Sequence, residues 1–230
     1  MKKLIMLSMF VVLLGTGVNG QVKIGAIAGP SLVNFTGSDV EQWGELYSKP
    51  SMKVKFHVGF YFIYPINDKL SIEPRIVYSA KGPKYTGDDS EFDDQTFELY
   101  EGTKTITKQL SYLELPILVN YRVYEKIVMF AGPQIGFLIT AKAKSEFSGT
   151  SQGGNTLTTD DTEDQKDYYT SIDFGLLFGV GYELNDKIGI SLSYNPGLSK
   201  IAQDEYEGDV TKYDVKNSAF MISLRYVLKQ

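Results

Sequence analysis

The chain has 230 residues, with 23 basic and 28 acidic side chains, one His and no Cys. The missing Cys excludes a disulfide framework, a thiolate metal site and a cysteine nucleophile. The single His excludes a multi-histidine metal centre, and the acidic balance argues against a nucleic-acid-binding surface. A mean hydropathy of -0.15 excludes a bundle of membrane helices.

Lys2 and Lys3 precede an almost wholly apolar run from Leu4 to Leu14, and Val18-Asn19-Gly20 offers small residues for cleavage before Gln21. A basic n-region, a short h-region and a small-residue cleavage site make a secretory signal; a buried N-terminal helix is the alternative. No Cys follows the h-region, so this is not a lipoprotein signal. The expected division is a signal peptide over residues 1–20 and one domain over 21–230, whose 21 basic and 28 acidic residues give it a net charge of -7. No later apolar run reaches the ~18 residues of a membrane helix.

The remaining pattern has a period of two. Across 52–64, Met52, Val54, Phe56, Val58, Phe60, Phe62 and Tyr64 share one parity, while Lys53, Lys55, His57, Gly59, Tyr61 and Ile63 share the other. In a strand the two sets face opposite ways. The same alternation runs through 70–81, 127–144, 172–184, 188–199 and 217–228, with noisier strands at 22–32 and 108–123. These eight predicted strands exceed the soluble mean of about five to six residues and reach the ~9–11 of a tilted transmembrane strand. One face carries aliphatic and aromatic side chains, the other Gly, Ser, Asn and ions. A soluble lipocalin-like barrel, the competing architecture, would carry Lys and Glu on its outer face; a Gly- and Ser-rich face suits a narrow lumen. The predicted fold class is therefore all-β: an eight-stranded antiparallel up-and-down transmembrane barrel with the apolar set in lipid.

Connection lengths point the same way. Pro65 to Lys69, Tyr124 to Lys126 and Asn185 to Lys187 are short turns, and Asn-Asp-Lys occurs in two of them. Four long connections cover roughly 33–51, 83–107, 145–169 and 202–214, matching short periplasmic turns and longer extracellular loops. Those connections hold 21 acidic and 5 basic residues, so the charge is sorted to one end of the barrel. Tyr64, Tyr121, Tyr182 and Tyr226 lie on the apolar parity beside short turns or the C-terminus and are predicted to form a periplasmic aromatic girdle.

Several stretches resemble a known family: Val22 to Gly29, Phe56-His57-Val58-Gly59-Phe60, Leu70 to Ser79, Tyr112-Leu113-Glu114-Leu115-Pro116-Ile117-Leu118, Ala131-Gly132-Pro133 and Phe174 to Leu184. The ordered set resembles the PorT-like outer-membrane β-barrel family of Bacteroidetes-type bacteria, within the OmpA-like small-barrel class. The resemblance implies this fold and the outer membrane of a Gram-negative bacterium, reached after signal-peptide cleavage. It implies no single function.

On the lumenal parity lie Lys53, Lys55, His57, Glu73, Arg75, Glu114, Lys142, Asp173, Glu183 and Arg225. An eight-stranded barrel is just wide enough for side chains to fill, so these predict a salt-bridged plug; a narrow gated pore is the alternative. Gly149-Thr150-Ser151-Gln152-Gly153 matches the nucleophile-elbow pattern, but in a polar loop rather than on a strand-to-helix turn. No catalytic residue, cofactor or dedicated metal site is assigned, and the chain is read as no enzyme. Asp88, Asp89, Glu91, Asp93 and Asp94, with Asp160, Asp161, Glu163 and Asp164, are read as solvated loop charges, with weak divalent-cation bridging to lipopolysaccharide or a partner as the sharper option. The expected partners are outer-membrane lipid and lipopolysaccharide, with a protein at the loops or periplasmic face as a further option, and no nucleic acid. The leading function is a structural or surface-interaction role through the acidic loops. The alternatives are an accessory of a secretion or export assembly, a narrow solute channel, or a soluble ligand-binding barrel.

Overall fold

The computed structural model describes residues 22–44, 46, 48–206 and 209–229. The predicted signal segment, 1–20, lies outside the described residues. In chain order the elements are β1 (Lys23–Thr36), a one-turn helix α1 (Val40–Trp43), β2 (Lys53–Pro65), β3 (Leu70–Lys81), β4 (Lys84–Asp93), β5 (Glu98–Tyr124) and β6 (Ile127–Ser151). There follow β7 (Thr156–Asp164), a 3-10 turn (Lys166–Tyr168), β8 (Ile172–Glu183), β9 (Ile188–Pro196), β10 (Ala202–Tyr206), β11 (Asp209–Tyr213) and β12 (Lys216–Lys229).

Eight of these strands form an antiparallel ring in the order β1-β2-β3-β5-β6-β8-β9-β12. It closes where β12 returns to β1, with Ala28 opposite Leu224 and Ser31 opposite Met221. Alternation decides which way each side chain points. On β2, Val54, Phe56, Val58 and Phe60 are exposed while His57 and Tyr61 are buried. On β8, Phe174, Leu176, Phe178 and Val180 are exposed while Asp173 and Leu177 are buried. A chain that leaves Val54 65%, Leu192 55% and Leu224 57% exposed has put its apolar set where hydrocarbon, not water, covers it.

At one end the strands join through short turns. Asn67 Oδ1 accepts from the backbone N–H groups of Lys69 and Leu70 at 2.9 Å. Asn185 Oδ1 does the same for Lys187 and Ile188 at 2.9 Å. The repeated Asn-Asp-Lys sequence thus encodes one Asx-type turn twice.

At the other end the structure departs from solvated loops. Connection 83–107 is a hairpin in which β4 keeps the register that β3 holds against β5: Lys81 faces Leu110 and Lys84 faces Thr107. Gly82 makes the bend between them, with φ +100° and room for no Cβ, which would lie 2.3 Å from the Lys108 carbonyl oxygen. Connection 145–169 contains the upper part of β6 and its partner β7. Together β4, β5, β6 and β7 form a four-stranded sheet above the ring. It curls enough that Thr159 on β7 donates to Glu91 on β4 at 3.0 Å, although these are its two edge strands. Tyr85, Tyr100 and Phe147 are buried along this sheet.

A second departure lies within the ring. Ser111 pairs with Thr140 but Tyr112 pairs with Leu138, leaving Ile139 as an extra residue on β6. This bulge inverts the parity of everything above it. Ala141 and Ala143 become buried, and Lys142, predicted to face the lumen, is exposed instead.

The long-connection end is closed by an apolar core of its own, in which Phe35, Ile106, Leu110, Tyr112, Leu138, Ile201 and Val215 pack with the half-buried Trp43 and Leu46. It is fastened by a lock between the first and last connections. Asp39 Oδ2 accepts from the Asp214 N–H at 2.7 Å, and Asp214 Oδ2 accepts from the Ser38 N–H at 3.0 Å. Gly37, with φ +128°, lets the two chains touch, since a Cβ there would lie 1.9 Å from the Asp214 carbonyl oxygen. The Lys216 ammonium and the Ser38 N–H hold the Asp214 carboxyl down to about 2. The Asp214 N–H and the Ser38 hydroxyl lower that of Asp39. Both carboxyls are more acidic folded than unfolded, so the lock contributes fully above about pH 4 and is lost as the pH falls toward 2. Emission from Trp43, the only Trp in the chain, should therefore stay constant from neutral pH to about 4 and shift below it. Asp214→Asn should produce the shifted spectrum already at pH 7.

Candidate functional site

The lumen holds two ion clusters, each built around a residue of β3. Glu73 and Arg75 lie near the short-turn end of β3, and Lys81 near its far end. Eight residues at ~3.3 Å each, tilted by about 40°, separate the clusters by roughly 20 Å along the barrel axis.

In the lower cluster the fully buried Glu73 carboxylate accepts from Arg75 Nε at 2.7 Å, from Arg225 Nη2 at 2.7 Å and from Asn120 Nδ2 at 2.8 Å. Each guanidinium is also backed by a ring: Arg75 lies 4.8 Å from the Phe130 centroid and Arg225 4.5 Å from that of Tyr61. In the upper cluster Lys81 Nζ pairs with Glu114 at 2.5 Å and with Asp173 at 3.7 Å, and donates to Asn195 Oδ1 at 3.1 Å. Gln134 donates to Glu114 at 2.8 Å, while Asn217 and Ser199 donate to Asp173 at 2.8 and 2.9 Å. The lower cluster carries one excess positive charge and the upper one an excess negative charge. An apolar group of Val33, Leu118, Phe130, Leu177, Ala219 and Met221 fills further interior space.

The other lumenal residues sit apart from these clusters. His57 is held by two hydroxyls, Ser31 Oγ at its Nδ1 and Ser223 Oγ at its Nε2, both at 2.8 Å. Glu183 stands at the short-turn mouth in a bidentate pair with Arg122, at 2.6 and 2.9 Å. Lys53 and Lys55 are half-buried toward the opposite end, and among the described residues neither forms an ion pair. Two charges that the sequence reading omitted carry much of the network. Lys81 shares its parity with Glu73 and Arg75, and Arg122 shares its parity with Glu114; alternation held the signal for both.

Tyr64, Tyr121, Tyr182 and Tyr226 all lie on the outer face near the short turns, opposite Ile72, Leu70, Ile127 and Ile188 respectively. Below the lower cluster a cavity of about 480 Å³ opens at the same end, with Lys23, Lys69, Arg122, Glu183, Lys187 and Arg225 in its wall. At the far end, the acidic runs lie on strands or at their ends. Asp88 and Asp89 are neighbours on β4, as are Asp160 and Asp161 on β7, so each pair points to opposite faces of the sheet. Glu91 and Asp93 also belong to β4, Asp94 begins the hairpin turn, and Glu163 and Asp164 end β7. Among the described residues no three His, Asp or Glu side chains converge as a metal ion requires. Ser151, at the centre of the elbow-like pattern, ends β6 at a hairpin turn, where its Oγ accepts from the Asn155 N–H at 3.3 Å.

Breaking one buried ion pair leaves its partner uncompensated. Glu114→Leu leaves Lys81 with Asn195 and the more distant Asp173 carboxylate, and should lower stability by about 3 kcal/mol. Adding Lys81→Met should recover little of that loss, because it takes the Lys81 ammonium away from the buried Asp173 carboxylate and leaves that charge uncompensated. Urea unfolding in detergent micelles reads both variants.

Among solved structures the chain is similar to Ail, the attachment invasion locus protein of Yersinia pestis, at 10% identity with a TM-score of 0.43 over 91% of this chain and 100% of that one. It is similar to Neisserial surface protein A at 12% identity, with a TM-score of 0.45 over 90% and 99% of the two chains. It is also similar to Outer Membrane Protein W of E. coli at 14% identity, with a TM-score of 0.40 over 92% and 100%. No functionally curated protein matches the sequence. The family model described as "Outer membrane protein beta-barrel domain" matches residues 19–203, and the chain belongs to that family.

Proposed function

We propose that this outer-membrane barrel is non-enzymatic, that its lumen is a structural plug, and that it acts through the surface built by its long connections. The observation that supports this most directly is the filling of the axis. Glu73, Arg75, Lys81, Glu114 and Asp173 are each at most 4% exposed, and above them Leu110, Tyr112, Leu138 and Ile201 close the long-connection end with apolar side chains. An eight-stranded ring has no spare bore around such a filling.

The surface reading draws on the same construction. The acidic connections form a sheet standing on the barrel, which holds their side chains in fixed positions facing the outside. A rigid presenting surface loses less entropy on binding than a disordered loop would. The signal at residues 1–20 and the PorT-like motifs of β3 and β5 support export to the outer membrane of a Gram-negative bacterium and membership of that branch of the family. Lipid and lipopolysaccharide are the partners of the apolar band and its rim.

A role as an accessory of an export assembly is the second reading. It draws on the cavity at the short-turn end, which would face the periplasm and which is large enough to receive side chains of a periplasmic partner.

Planar-bilayer recording separates the plug from a channel. The purified protein should insert without conductance steps. A steady, reproducible conductance, or selective passage of a solute into proteoliposomes, would overturn the plugged reading.

A further inference from the structure

The long-connection end holds a cleft of about 520 Å³. Five parts of the fold meet there: α1, β5, the end of β7, the 3-10 turn and the β10–β11 hairpin. Its volume lies within the range of small-molecule sites.

Its aromatic wall is fixed in place. Trp43 donates from Nε1 to the Tyr169 hydroxyl at 3.1 Å. The Trp43 ring meets Tyr169 edge-on at 5.7 Å between centroids and lies 5.1 Å from Tyr213. Trp43 and Tyr213 remain half-buried rather than buried, and Tyr168 is 44% exposed, so ring surface is left in the cleft. A half-buried Trp at the end of a one-turn helix, oriented by a hydrogen bond and two neighbouring rings, is a prepared platform.

Its polar groups mix donors and acceptors. Lys108, only 2% exposed, donates from Nζ to Gln165 Oε1 at 2.9 Å, and Gln165 Nε2 donates to Glu163 at 3.3 Å. The exposed Asp204 adds a second carboxylate from the β10–β11 hairpin. Carboxylates on the rim, and an acidic excess across all four connections, disfavour an anionic ligand. Behind these carboxylates the buried Lys108 ammonium is taken up by Gln165, whose amide in turn donates to Glu163. Ligand hydroxyls satisfy both kinds of group, because each can donate and accept. The faces of Trp and Tyr carry negative quadrupole density that attracts polarised C–H bonds. A molecule with hydroxyl edges and C–H faces is a saccharide.

We infer that this cleft binds a neutral saccharide, with Trp43 and Tyr213 as stacking surfaces and Glu163 and Asp204 as acceptors for its hydroxyl groups. The inference deepens the surface-interaction reading, since it needs the cleft to face the outside of the cell.

Trp43, the only Trp in the chain, makes the cleft directly observable. The full-length protein in a polyoxyethylene detergent, which carries neither sugar nor ammonium headgroups, would be titrated with maltohexaose, triacetylchitotriose and mannotriose. Tetramethylammonium chloride and dextran sulfate serve as the cationic and anionic arms. A saturable change in Trp43 emission with at least one neutral oligosaccharide, at Kd of about 1 mM or tighter, supports the inference. Glu163→Gln and Asp204→Asn are isosteric and exposed, so both should fold with unchanged heat-modifiable mobility and weaken binding about tenfold each. No response to any neutral probe up to about 20 mM overturns it. A response confined to tetramethylammonium or dextran sulfate overturns it too, as does undiminished affinity in both variants. Conductance does not depend on this cleft, so a failure here and a failure of the plugged-barrel reading are separately visible.

Discussion

A peptide group in hydrocarbon has no water to bond with, and that constraint governs the molecule. A sheet meets it only by having no edge, so β12 must find β1 after the whole chain has been laid down. Every strand inside the bilayer then has one face in lipid and one in the lumen, and its side chains must sort accordingly. The apolar parities of β2, β8, β9 and β12 are the mark of that sorting.

Closing eight strands also fixes what happens inside. The interior is too narrow for a water channel around large side chains, so charges placed there lose their hydration and must find one another. Glu73 is met by two guanidiniums and an amide, and Lys81 by two carboxylates. Because these partners come from β3, β5, β8 and β12, the ion clusters tie strands that are distant in the ring. Register is pinned from within as well as by the backbone.

Where β5 and β6 leave the bilayer, the requirement changes but the strands do not stop. They are 27 and 25 residues long, more than twice what a membrane crossing needs. Out of lipid a sheet may keep edges, and β4 and β7 end this one on either side. The curl that brings Glu91 to Thr159 narrows the opening, and the first and last connections cover the lumen below. The Asp39–Asp214 lock holds that cover, and the same packing sets Trp43 against Tyr169 and Tyr213. The sheet above the membrane and the cover over the lumen are therefore one construction, made by continuing the barrel wall past the membrane.

Lipid writes a pattern of period two into any strand that crosses it, and the sequence by itself determined as much as that pattern reaches: the eight membrane strands, the outward face, the three short turns and most of the lumenal charges. Thr156–Asp164 and Lys84–Asp93 stand in water on at least one face, so Thr, Asp and Glu are acceptable at either parity and the strands read as acidic loops. Tertiary structure alone decided their pairing, because the register of β4 comes from β3 through the Gly82 bend and that of β7 comes from the extended β6. It also decided the fate of Lys142. One unpaired residue at Ile139 reverses every side chain above it, and a bulge is a property of two strands together, invisible in the alternation of one.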